Sequence, residues 1–106
     1  MKKEDENKPK ISTDAILLSP ARLPIITLLA MYEDVDFNFL KAELSMSDGN
    51  LGANLRKLED EGFLECRKTF VGRKPKTIYA ISSKGLKKLN YFIQSMKDVE
   101  SRIERL

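Results

Sequence analysis

Apolar residues recur along this chain at changing intervals, and each change of period marks a new element. Through "STDAILLSPARLPIITLLAMYED" the spacing is helical. Asp14 or Thr13 can cap a short turn carrying Ile16, Leu17 and Leu18. Ser19 followed by Pro20 then restarts the chain, because serine at an N-cap and proline just inside a helix favour its opening. Pro24 falls near the first turn of the helix that follows, where a missing N–H costs least. Leu23, Ile26, Leu29 and Ala30 form its expected inward face. The segment "FNFLKAEL" repeats the pattern, with Asp36 as cap and Phe37, Leu40 and Leu44 on one stripe. After "SMS", Ser47 caps a helix that starts at Asp48, runs to about Glu61 and stops at Gly62.

Beyond Gly62 the period falls to two. "FLECRKTF" sets Leu64, Cys66 and Phe70 against Glu65, Arg67 and Thr69, and "KTIYAIS" places Thr77, Tyr79 and Ile81 on one side. "VGRKPK" between them is a turn with Gly and Pro, which makes the pair a β-hairpin. Ser82 or Ser83 caps a last helix. Its apolar residues Leu86, Leu89, Ile93, Met96, Val99, Ile103 and Leu106 form nearly a heptad seam. At 1.5 Å per residue this helix would be ~36 Å long. A domain this small cannot cover such a stripe, so the same helix of a second copy is the expected partner. The alternative is that its first half packs on its own domain while its end frays.

Helices, a short loop between the last two of them, and then a hairpin make the order of a winged helix-turn-helix. "RLPIITLL", "FNFLKAELSMSDGNLGANLRKLEDEGFLE" and "KTFVGRKPKTIYAISSKG" resemble the small winged-helix transcription regulators related to the MarR and ArsR groups. The resemblance spans roughly residues 14–95. Related proteins often carry histidine where Asn54 stands here, and serine where Gly52 stands. The resemblance implies an α+β, mostly helical fold with a two-stranded wing and a long C-terminal dimerisation helix. It also implies transcription regulation, with repression by occlusion as the family habit.

The residues of the fourth helical segment agree. On a 100° wheel Leu51, Leu55 and Leu58 share one sector. The opposite sector holds Gly49, Ala53, Arg56, Lys57 and Asp60, with Asn50 at its edge. Each glycine in a helix interior costs about 1 kcal/mol relative to alanine, so small residues here ask for a reason. A helix that enters the major groove presents its N-terminal residues to base edges, and small side chains let its backbone approach the groove floor. Asn50 suits an adenine edge, Ala53 a thymine methyl, Arg56 guanine or phosphate, and Lys57 phosphate. Ser47 and Asn54 belong to the same candidate surface. The competing explanation is that Gly49 and Gly52 ease packing against the preceding helix.

Between Arg67 and Lys76 the hairpin has five basic residues and no acid. Arg73 and Lys74 at the wing tip suit a narrow minor groove; Arg67 and Lys68 suit DNA or simple solvation equally. Arg22, at the start of its helix, suits a phosphate contact or a structural ion pair.

Composition narrows the rest. The 106 residues imply one domain, and a net charge of +3 permits a polyanionic partner without demanding one. There is no histidine, which removes the commonest metal ligand and general base together. With no phosphate loop and no paired carboxylates either, no catalytic residues, metal site or cofactor are expected, and nothing remains to carry an enzyme's chemistry. The single cysteine, Cys66, reads as a small hydrophobe, with a redox switch as the alternative. No apolar run is long enough for a membrane and no signal pattern opens the chain, so the cytoplasm is the expected compartment. Residues 1–12 read as a disordered charged tail, in which Glu4, Asp5 and Glu6 argue against a basic DNA-binding arm. Residues 13–82 read as the winged-helix domain and 83–106 as the dimerisation helix. The expected partners are double-stranded DNA and a second copy of the chain. The alternative is a winged-helix module for protein–protein assembly without specific DNA binding.

Overall fold

The computed structural model describes residues 10–106. Most of the expected charged tail, residues 1–9, lies outside the described residues. Ser12 is already buried, so the packed body begins before residue 13. Asp14 Oδ1 accepts from the N–H groups of Ile16 and Leu17 at 3.0 and 2.9 Å, which closes the short turn and drives Leu17 fully into the core.

Helix α1 spans Arg22–Met31. Ser19 Oγ accepts from Ala21 and Arg22 N–H at 3.2 and 3.0 Å, so the serine restarts the chain as its sequence position implies. Ile25, Ile26 and Leu29 are the buried residues of α1, while Ala30 is exposed and Leu23 is half-buried. The buried arc is rotated toward Ile25 because three other helices and the sheet all pack around α1.

A two-residue strand, β1 (Val35–Asp36), follows and leads into α2 (Phe37–Leu44). Asp36 Oδ1 accepts from Phe39 N–H at 2.8 Å, as a cap should. Ser45, in the left-handed region at φ 52°, turns the chain into α3 (Asp48–Asp60). Gly62 has φ +82°, and Phe63 N–H reaches back to the Leu58 carbonyl at 2.8 Å. This left-handed stop with a six-to-one bond is a Schellman motif, and it plants Phe63 in the core.

Strands β2 (Leu64–Val71) and β3 (Lys74–Ile81) form the hairpin. The antiparallel sheet has order β1-β3-β2, with Val35 opposite Tyr79 and Leu64 opposite Ile81. The wing itself is two-stranded, as expected, but β1 makes the sheet three-stranded. Gly72 and Arg73 form the turn, with Gly72 at φ +64°, which suits a II′ turn. A two-residue turn is closed by a hydrogen-bonded pair, here Val71 and Lys74. Pro75 then falls at a non-hydrogen-bonded position and forfeits no ladder bond.

Helix α4 (Ser83–Glu104) opens on Ser82, whose Oγ accepts from Gly85 N–H at 2.9 Å. A Cβ on Gly85 would meet the Phe63 carbonyl oxygen at 2.1 Å, so glycine is required for this docking. Leu89 lies in the core and Phe92 and Ile93 pack against it. Leu89 therefore belongs to the chain's own domain and not to the expected dimer seam. Its position closest to the body explains the difference. Further out the seam emerges: Met96 is 39%, Ile103 62% and Leu106 fully exposed. Among the described residues no helix is long and apolar enough to cross a membrane.

Candidate nucleic-acid interface

The site starts from how α3 is held. Leu51, Leu55 and Leu58 are buried, which fixes the rotation of the helix. Ser47 Oγ accepts from Asn50 N–H at 3.1 Å, and Lys41 Nζ holds Asp48 Oδ1 at 2.7 Å, joining the end of α2 to the start of α3. The opposite face is open. Gly49, Asn50, Ala53, Arg56 and Lys57 are exposed, and Gly52 and Asn54 are half-buried. Among the described residues, a Cβ added at Gly49 or at Gly52 would meet nothing within 4 Å. Packing against α2 therefore does not account for either glycine.

The basic residues divide. Arg67 makes a bidentate pair with Asp34 at 3.1 and 2.8 Å, which holds that carboxyl below its ordinary value. Lys68 Nζ donates to Thr77 Oγ1 at 2.9 Å on the opposite strand. Lys76 pairs with Asp36 at 2.9 Å. The Asp36 carboxyl is lowered first by the Phe39 N–H and next by that lysine. Arg73 and Lys74, at the turn, are exposed and have no ion pair among the described residues. The strand cations thus brace the hairpin, while the tip cations face solvent. Lys57 lies 3.6 Å from Glu61, a loose pair; Arg56 is exposed with no ion pair among the described residues.

Arg22 makes neither an ion pair nor an open, solvent-facing cation. Its Nε donates to the Ile16 carbonyl at 2.6 Å, Nη2 to the Ala15 carbonyl at 3.3 Å, and Nη1 to Asn54 Oδ1 at 3.1 Å. Asn54 Nδ2 in turn donates to the Asn50 carbonyl at 2.9 Å and to Asn50 Oδ1 at 2.8 Å. Arg22 and Asn54 are thereby engaged with the fold, and only Asn50 of the three extends into the open face. Sequence reasoning missed this series of hydrogen bonds, since nothing in a one-dimensional pattern pairs residues 22 and 54. It also missed that Phe70 and Val71, beside the turn, are 67% and 60% exposed.

Burial first, and Glu59 next, push the Cys66 thiol above its ordinary value, the opposite of what a reactive cysteine needs. Among the described residues no His, Cys, Asp or Glu group is arranged to hold a metal ion. Of the expected seam residues, Leu86, Met96 and Ile103 on α4 and Leu106 just beyond it are exposed, and Ile93 and Val99 are half-buried.

Residues 21–103 match the family described as winged helix DNA-binding domain. The chain is 37% identical over 89 residues to an uncharacterized protein of Methanocaldococcus jannaschii, covering 84% of this chain and 97% of that one. It is similar to the solved structure of a transcriptional regulator homologue from Pyrococcus horikoshii OT3. There the TM-score is 0.78 at 28% identity, over 97% of this chain and 98% of that one. A PadR-like transcriptional regulator of Bacillus cereus gives a TM-score of 0.62 at 25% identity, over 77% and 85% of the two chains. A MarR-family regulator of Porphyromonas gingivalis W83 shares the fold, with a TM-score of 0.66 at 21% identity over 83% and 93%.

Proposed function

The chain belongs to the winged helix DNA-binding domain family, and from that premise we propose that it is a homodimeric, sequence-specific transcription regulator of double-stranded DNA. Helix α3 enters the major groove with Gly49, Asn50 and Ala53 toward the bases, Arg56 toward guanine or phosphate, and Ser47 and Lys57 toward phosphates. Arg73 and Lys74 meet the adjacent minor groove. Arg22 and Asn54 serve this surface from behind rather than touching DNA. Leu86, Ile93, Met96, Val99, Ile103 and Leu106 pair with a second copy, which sets two reading helices on successive turns of the duplex. Occupying a promoter in this way represses by occlusion, in the cytoplasm where the template lies.

The observation that carries this reading is the empty space over Gly49 and Gly52. Both glycines weaken the helix, neither is needed for packing, and close approach of the backbone to a groove floor gives them a use. A second reading, protein–protein assembly through the wing, draws on the exposed Phe70 and Val71.

Binding of the full chain to duplex DNA over a range of salt tests the choice. Replacing Arg73 and Lys74 with alanine is expected to flatten the salt dependence by up to about 0.9 for each phosphate no longer neutralised. An unchanged slope would remove the wing from the DNA interface and return it to the second reading.

A further inference from the structure

Three side chains linked by hydrogen bonds run from the domain body to the open face of α3, and they determine which way an amide points. A guanidinium has donors only. The contact from Arg22 Nη1 at 3.1 Å must therefore meet the oxygen of Asn54 and not its nitrogen. Arg22 is itself held by the carbonyls of Ile16 and Ala15. With its oxygen committed, Asn54 turns Nδ2 toward Asn50 and donates to the Asn50 carbonyl and to Asn50 Oδ1. The second of these bonds requires an acceptor, so the amide of Asn50 is oriented as well. Its oxygen faces Asn54. Its nitrogen, on an exposed side chain, has no hydrogen-bond partner among the described residues.

An unconstrained asparagine reads adenine by using both ends of its amide, accepting from N6 and donating to N7. Here the accepting end is held along the helix by Asn54. What remains for the groove is a donor. Adenine offers one acceptor, N7, beside its N6 donor, thymine offers O4 beside its methyl, and cytosine presents the N4 donor; guanine alone presents two acceptors, O6 and N7, to meet both hydrogens of an outward amide nitrogen. Resting on the reading of α3 as the major-groove helix, we propose that Asn50 is a specificity-determining residue that donates to a guanine edge, and that Arg22 and Asn54 are positioning residues that set its polarity.

Asn54→Asp provides the test, because it keeps the oxygen that Arg22 needs and removes the donor that Asn50 Oδ1 needs. The two facing oxygens then repel, and Asn50 relieves this by turning its amide over and presenting its oxygen outward. Bound fragments are selected from random duplexes by the wild-type chain and by Asn50→Ala, Asn54→Asp and Asn54→Ala, each checked for folding by circular dichroism. The wild type is expected to prefer guanine at one position per half-site, by about fivefold or more, and Asn50→Ala to lose that preference alone. Asn54→Asp should shift the same position to adenine or cytosine, whose edges carry donors. Asn54→Ala, which frees the amide, should broaden it. Any base other than guanine, or no preference, at the Asn50-dependent position in the wild type would overturn the proposal, and so would an Asn54→Asp selection identical to the wild type. Failure of the wild type to enrich any duplex would instead overturn the DNA-binding reading itself, and the inference with it.

Discussion

Helices α3 and α4 both open on a serine cap. Ser47 Oγ receives Asn50 N–H at 3.1 Å and Ser82 Oγ receives Gly85 N–H at 2.9 Å. Both also carry glycine in their opening turns, yet the glycines have opposite surroundings. A side chain at Gly85 would strike the Phe63 carbonyl at 2.1 Å, whereas side chains at Gly49 and Gly52 would strike nothing within 4 Å. Gly85 lets two parts of one chain come together. Gly49 and Gly52 leave a clearance that none of the described residues fills. Residue type alone cannot separate these uses; the surrounding atoms can.

Gly85→Ala should produce the largest change in stability. The obstacle is a backbone oxygen, which cannot rotate away, so α4 must shift off Phe63. Overpacking of this kind costs about 1–3 kcal/mol, and chemical denaturation should show a loss at the upper end of that range. An unchanged midpoint would mean that the docking is loose and the contrast between the two helices empty.

Gly49→Ala combined with Gly52→Ala should move stability the other way. Each replacement gains up to about 1 kcal/mol of helix propensity, so the double variant should melt higher than the wild type while binding duplex DNA more weakly. A variant that is more stable and binds as well as the wild type would leave the clearance without a use.

Ile103→Asp should have the smallest effect on the fold, within about 0.5 kcal/mol, as for most surface changes. Its side chain lies beyond the part of α4 that docks, and it is 62% exposed. Its effect should appear instead in sedimentation, where the wild type runs as a dimer and the variant as a monomer at micromolar concentration. A variant that stays dimeric would place the self-association surface elsewhere.

Much of the fold is legible in the sequence where the cause is local. The caps at Asp14, Asp36, Ser47 and Ser82 are short-range hydrogen bonds, and the sequence around each contains donor and acceptor together. The Leu51, Leu55 and Leu58 stripe follows from helical geometry alone. What stays hidden depends on distant partners. Strand β1 is two residues long, too short to show any period, and exists because β3 offers Ile78 and Tyr79 as partners. Ile25 rather than Ala30 is buried because α1 is enclosed from several sides. The division of the hairpin cations into braces and open charges depends on Asp34 and Asp36, which lie in another part of the chain.

The bracing of the hairpin has a mechanical consequence. Strand β1 supports β3 only at Ile78 and Tyr79, and the Arg67–Asp34 pair grips β2 at the register of Ile78. Further out, Lys76, opposite Thr69, reaches back to Asp36 of β1, and among the described residues no ion pair to β1 lies beyond it. Two residues of strand, Phe70 and Val71, at ~3.3 Å each then give an overhang of roughly 7 Å. The hairpin is therefore a short cantilever with its outer clamp at Lys76 and its load point at Arg73. A force at the tip bends the overhang before it reaches the core, so the tip can move while α3 stays held by Leu51, Leu55 and Leu58.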